Sequence, residues 1–457
     1  MEQEHVSPKE VRRLVARILL AGALASCAVG LMALAFRHVQ KTAAGVEGVA
    51  SSTETPAIVS DDSVVDAPAA DDPAHRTVEL AYTSLDIPAD GEAHSQVTWD
   101  DAWFSADETV YNQELARTAA VLSALAYSES GYYKTDVDQP AYMEQALEKL
   151  GFSDISTESY RYRSEVVDEV LNLVTNDSDT VAYTIARRHL VTDDGTKRDL
   201  ILVSARGSYG SEWLSNLDLS DANSNDHGGY VRAAREIDEE IAAWTAESRR
   251  AGAEVSVLMV GHSRGGAVVN LATAGIDNVR ADTPSDEISS ELSQVDRVYT
   301  YTFASPRTTL NAEVHAERYA NIFNIVNPSD IMPFLPLEEW GYQRYGTTLL
   351  LPGVGDEGFD ERYAAMQDVY EQITSVAYAA DPTDKHTVEA VIDSLSMEVG
   401  SIEQLVTPKG AVATFFAVSA HVDPVRILYS HYPTTYIAWM NTLDGGELTA
   451  EQPTIIY

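Results

Sequence analysis

No stretch limits the possible folds of this chain more than Val255-Ser-Val-Leu-Met-Val-Gly-His-Ser-Arg-Gly-Gly-Ala-Val-Val-Asn270. Val255 to Val260 is a short apolar run, the composition of a strand buried on both faces of a parallel sheet. Gly261-His-Ser-Arg-Gly265 then turns sharply, and the small residues Gly266 and Ala267 open a helix. A G-x-S-x-G segment between such a strand and such a helix is a nucleophile elbow. The tight turn holds the serine in a sparsely populated backbone conformation and lifts its hydroxyl over the sheet edge. Glycine is needed on both sides, because a Cβ there would strike the neighbouring strand or helix. The helix start aims N–H groups and the positive end of its dipole at any oxyanion forming beside Ser263.

The rest of the chain supplies a matching frame. Thr180–Ala186, Leu200–Ser204, Val298–Phe303 and Asn321–Val326 read as strands. A helix capped by Asn112 would carry Leu115, Ala119, Leu122 and Ala126 on one face, and another runs from about Val231 to Arg250. Strands alternating with helices predict an α/β fold, a mostly parallel sheet flanked by helices. Residues 356 to 425 read as a mainly helical insertion before the last histidine motif.

A serine hydroxyl is a poor nucleophile near neutral pH and needs a base, which in turn needs an acid to fix its tautomer. In elbow-bearing hydrolases the chain order is serine, acid, histidine. Asp330 fits the acid, since the strand ending at Val326 is followed by Asn327-Pro-Ser-Asp330 on the edge that holds Ser263. Asp296 precedes its strand and should face the opposite edge. For the base, His315 precedes Asp330, His386 sits in a polar helical stretch, and His262 is expected to pack beside the sheet. His431, in Ser430-His-Tyr-Pro-Thr-Thr-Tyr-Ile-Ala-Trp439, begins a plausible C-terminal helix and is favoured, while spacing leaves His421 open. One oxyanion donor should be the amide of Arg264. The other should come from the strand-end loop Ala205-Arg-Gly-Ser208, where Gly207 permits the turn and Ser208 offers its amide and hydroxyl.

Composition restricts the setting. The chain has 457 residues and a net charge of −40, which argues against nucleic acid as a partner. Six Lys/Arg against three Glu in residues 1–41 give +3, leaving −43 on the remainder. That basic start flanks an uncharged apolar run of 19 residues, Ile18 to Phe36, long enough to span a bilayer as an anchor. Ala33-Leu34-Ala35 also offers a cleavage site and Leu24-Ala25-Ser26-Cys27 resembles a bacterial lipobox, and each of the three fates exports the remainder. The single cysteine, Cys27, lies in this run, so the exported part has no disulfide and no Cys-based metal site. Residues 42–95, rich in Ala, Ser, Asp and Pro, are expected to form an acidic disordered spacer ahead of a globular domain over 96–457.

The motifs together resemble the class 3 lipases, the fungal-lipase-like branch of the α/β-hydrolases. The segments that carry this are Ala205-Arg-Gly-Ser208 with Glu212-Trp-Leu214, Gly261-His-Ser-Arg-Gly-Gly266, and Tyr301-Thr-Phe-Ala-Ser-Pro-Arg307. Ile325-Val-Asn-Pro-Ser-Asp330 with Pro333 and Gly341-Tyr-Gln-Arg-Tyr345 complete them. The resemblance implies Ser263 as nucleophile, Asp330 as acid, His431 as base, and Ser208 with Arg264 as oxyanion donors. It further implies hydrolysis of carboxylic esters of acylglycerols or related lipids without metal or organic cofactor, and a lid within Tyr209 to Gly229. Two features depart from the family pattern: Arg264 stands where leucine is common, and the interval from Asp330 to His431 is long. A phospholipase or soluble-substrate esterase is the neighbouring alternative. A catalytically silent lipid- or partner-binding surface protein is the alternative of another class.

Overall fold

The computed structural model describes residues 74–88, 91–134, 141–157, 159–160, 181–192, 195–207, 228–398 and 429–451. The chain enters through a hairpin of β1 (His75–Tyr82) and β2 (Ala93–Asp100), followed by α1 (Gln113–Lys134), α2 (Tyr142–Lys149), β3 (Asp154–Ser156), β4 (Tyr183–Val191) and β5 (Lys197–Ala205). Next come α3 (Gly228–Arg250), β6 (Glu254–His262), α4 (Arg264–Ala281), α5 (Glu287–Leu292), β7 (Arg297–Phe303), β8 (Ile322–Val326) and β9 (Thr347–Leu350). Two insertion helices, α6 (Phe359–Thr374) and α7 (Asp384–Glu398), precede α8 (Pro433–Thr442) and the short β10 (Thr449–Ala450).

Eight strands form one sheet in the order β10-β9-β8-β7-β6-β5-β4-β3. β5 through β9 are parallel, and antiparallel strands β3, β4 and β10 close the two sides. This is the mostly parallel, helix-flanked sheet that the sequence predicts. Period-two alternation divides its residues between two layers. Leu200, Leu202, Leu258, Val260, Tyr301 and Phe303 face α1 and α8. Ile201, Val203, Val257 and Met259 face α3 and α4. Each such buried aliphatic side chain stabilises the fold by about 1.5–3 kcal/mol, so the central strands are the best-held part of the molecule. Asn112 caps α1 as expected, its Oδ1 accepting from the Leu115 amide at 3.1 Å.

The domain boundary expected near residue 95 lies earlier. β1 and β2 pair antiparallel from His75 opposite Asp100 to Tyr82 opposite Ala93, and Leu80, Tyr82, Val97 and Trp99 join the core. The alternation of these residues, not the average polarity of residues 42–95, decides their fate, because only one face of a hairpin needs to be apolar. The apolar run Ile18–Phe36 and residues 42–73 of the expected spacer lie outside the described residues. Among those described, no helix is long and apolar enough to cross a membrane. The expected insertion is helical where described, with α7 laying Val388, Val391 and Leu395 on Ile331, Met332 and Leu337.

Candidate active site

Parallel strands deliver their following loops to one edge of the sheet, and there Ser263, Asp330 and His431 meet. β6 ends at His262, and Ser263 sits between it and α4 at φ 56° and ψ −128°. That positive φ is costly for a residue with a side chain. The Ser263 amide donates to the Phe303 carbonyl at 2.8 Å, and its own carbonyl accepts from Ala267 at 3.1 Å. Both glycines of the motif are forced. A Cβ on Gly261 would lie 2.5 Å from the Gly265 carbonyl carbon, and one on Gly265 would lie 2.1 Å from the Ala205 oxygen. Helix, nucleophile strand and β5 therefore approach one another backbone to backbone.

Asp330 follows β8 and is fully buried, with 0% exposure. Its Oδ1 accepts from the Met332 amide at 2.9 Å, and its Oδ2 accepts from the Tyr436 hydroxyl at 2.8 Å. The same Oδ2 lies 2.8 Å from His431 Nδ1. A carboxylate can only accept, so Nδ1 carries the proton and Nε2 is left to accept from the Ser263 hydroxyl at 3.0 Å. Ser263 and His431 are 4% and 8% exposed, so the hydroxyl–imidazole–carboxylate chain is nearly dry. Of the two histidines left open by spacing, His431 makes this contact; His421 lies outside the described residues. Asp296 sits at the opposite sheet edge, as expected, accepting from the Val255 amide and pairing with Arg249.

His262 does more than pack beside the sheet. Its Nε2–H donates to the backbone carbonyl of His431 at 2.8 Å. Nδ1 is therefore bare and accepts the Tyr127 hydroxyl at 2.9 Å. Burial, then the nearby His431, push the His262 pKa well below the ordinary 6.5, so this ring stays neutral. The two imidazoles lie with centroids 4.9 Å apart and their planes tilted by 51°, and Tyr436 meets His262 edge-on at 5.7 Å. Burial, then the Asp330 charge, push the Tyr436 phenol well above its usual range and keep it a donor. Asn327 completes the scaffold, donating from Nδ2 to the Ser430 carbonyl at 2.9 Å. Tyr127, Asn327 and Tyr436 were missed at the level of sequence. The signals were local but mute: Tyr436 lies on the helix that follows His431, and Asn327 starts the loop that ends at Asp330.

The strand-end loop after β5 runs directly past the elbow. A Cβ on Gly207 would lie 2.6 Å from the His262 carbonyl oxygen and 3.1 Å from the Ser263 Cβ. Ser208, the next residue, lies outside the described residues, as does most of the expected lid, Tyr209 to Gly229. Arg264 begins α4, in the first helical turn, where N–H groups look outward along the axis. Its side chain is half-buried rather than fully solvated, and its charge partly offsets the upward push of burial on Tyr230. Tyr342 and Tyr345 are core residues, Tyr345 packing on Tyr319 at 4.7 Å. Among the described residues no cluster of His, Cys, Asp and Glu is arranged to hold a metal ion.

The model of the class 3 lipase family matches residues 202–340. Among solved structures, the chain is similar to the Rhizomucor miehei triacylglyceride lipase at 20% identity and a TM-score of 0.35, over 53% of this chain and 82% of that one. It is also similar to lipase II from Rhizopus niveus, at 15% identity and a TM-score of 0.33 over 60% and 84% of the two chains. A lipase from Rhizopus microsporus var. chinensis matches at 18% identity and a TM-score of 0.33, over 58% and 82%.

Proposed function

We take as premise that residues 202–340 belong to the class 3 lipase family, and we propose that this protein is an exported serine hydrolase cleaving carboxylic esters of acylglycerols or related lipids. The observation that carries the mechanism is the unbroken chain from the Ser263 hydroxyl through His431 to the buried Asp330. Ser263 Oγ attacks the ester carbonyl carbon while its proton passes to His431 Nε2. The amides of Arg264 and Ser208 receive the oxyanion. As the tetrahedral intermediate collapses, His431 returns the proton to the departing alkoxide, which leaves as an alcohol. Water, deprotonated by His431, then attacks the acyl-serine and releases a carboxylic acid. Asp330 stays ionised throughout and stabilises the imidazolium. Export rests on the basic residues before Ile18–Phe36 and on the strongly acidic remainder. Whether that run is retained or removed decides between an anchored and a released enzyme.

Ser263→Ala is expected to lower ester turnover by at least ~10³-fold. Retained activity in the purified variant, or failure of the unaltered protein to react with a fluorophosphonate, sinks the hydrolytic reading in favour of a silent binding protein. Turnover of an ester series above and below its micelle concentration separates a lipase, which gains rate at the interface, from a soluble-substrate esterase.

A further inference from the structure

The turn bearing His431 is fastened from several directions. Asn327 and His262 hold the carbonyls of Ser430 and His431. A further fastening comes from outside the family-matched segment. Asp86, in the turn between β1 and β2, is 8% exposed. Its Oδ2 accepts from the hydroxyl of Thr434, three residues past His431, and from the Tyr370 hydroxyl of α6 at 2.6 Å. Oδ1 accepts from Ser84.

A carboxylate is an expensive group to bury, and a β-turn does not require one here. Its value lies at the other end of its hydrogen bonds. The first turn of α8 has no side-chain cap of its own, and an anion is favoured at a helix N-terminus. Asp86 supplies that anion across 348 residues of sequence. The hairpin is itself tied down: the Thr83 amide donates to Ser128 Oγ at 2.8 Å, one residue from Tyr127, which holds His262. Burial, then the Asp86 charge, push the phenols of Tyr370, Tyr429 and Tyr432 up, so the groups around the carboxylate remain neutral.

We propose that Asp86, acting through Thr434, is a positioning residue that holds His431 in register with Ser263, making the N-terminal hairpin a working part of the reaction centre. This rests on the hydrolase reading above. The full-length protein is compared with Thr434→Val, Thr434→Ser, Asp86→Ala and Tyr370→Phe on a soluble short-chain p-nitrophenyl ester. Thr434→Val should lower kcat about tenfold at unchanged KM, because a slightly displaced base costs rate rather than binding. Thr434→Ser restores the hydroxyl and should return kcat to within about twofold of the parent. Asp86→Ala should match Thr434→Val, with the double variant no slower than either. Tyr370→Phe removes another donor from the same carboxylate and should lower the unfolding midpoint while keeping kcat. Undiminished kcat in Thr434→Val, or equal losses in Thr434→Val and Tyr370→Phe, overturns the positioning role while the Ser263-dependent activity of the parent stands. A parent protein lacking Ser263-dependent turnover removes both readings. Should Asp86→Ala fail to fold, the Val and Ser variants at position 434 decide the matter alone.

Discussion

Replacing His262 with phenylalanine tests whether the neighbour of the nucleophile governs the base. The change keeps a ring of similar size between His431 and Tyr436, so the cavity it leaves is small. It deletes two buried hydrogen bonds, one to the His431 carbonyl and one from the Tyr127 hydroxyl. A buried polar group deprived of its partner costs about 1–3 kcal/mol, so the variant should be less stable by about 2–6 kcal/mol. Adding Tyr127→Phe removes the hydroxyl that donates to the His262 ring. The double variant should then be less destabilised than the sum of the singles by about 1–3 kcal/mol. With its carbonyl released, His431 can drift from Ser263, and a displacement of about 1 Å costs on the order of 10²-fold in rate. Urea unfolding of the four proteins, beside kcat on a soluble ester, measures both effects. If His262→Phe lies within about 0.5 kcal/mol of the parent and the two substitutions are additive, the ring does not hold the turn and the argument fails.

Two further outcomes follow from buried carboxyl groups. Asp330→Asn places an amide where both the Met332 amide and His431 Nδ1–H need an acceptor, and should cut kcat by about 10⁴-fold with KM little changed; a loss under tenfold would count against Asp330 as the acid. Glu129, 1% exposed on α1, is pushed from 4.5 to about 7, chiefly by burial. Because the native carboxyl holds its proton where the unfolded one has released it, stability present below about 4.5 is lost as pH rises to about 7. Glu129→Gln should therefore stabilise the protein by roughly 1–3 kcal/mol at pH 8 and change little near pH 4.5, as read from urea midpoints at the two pH values.

The parts of the fold written in long, one-sided apolar patterns were legible. β5 to β8, α1 and α3 follow from runs such as Leu200–Ser204 and from the Asn112 cap. β1 and β2 were hidden because their apolar residues occupy every second position among His, Arg, Glu and Gln, which composition over a wide window averages away. β9 and β10 were too short to declare themselves. In the hydroxyl–imidazole–carboxylate chain, the places of Ser263 and Asp330 were legible from strand-end position. Spacing alone left His421 beside His431, since nothing in a linear chain says how an insertion folds back; the hydrogen bond to Ser263 separates them. The role of His262 was invisible for a related reason. Its partner is a backbone carbonyl 169 residues away, and backbone atoms leave no mark on sequence.

His431 reaches Ser263 from 168 positions downstream, and Asp330 from 101 positions upstream of His431. A chain still emerging from the ribosome therefore owns its alcohol long before it owns the means to ionise it. The hydroxyl–imidazole–carboxylate chain is complete only once the segment carrying His431 has been made and the sheet has closed beneath it.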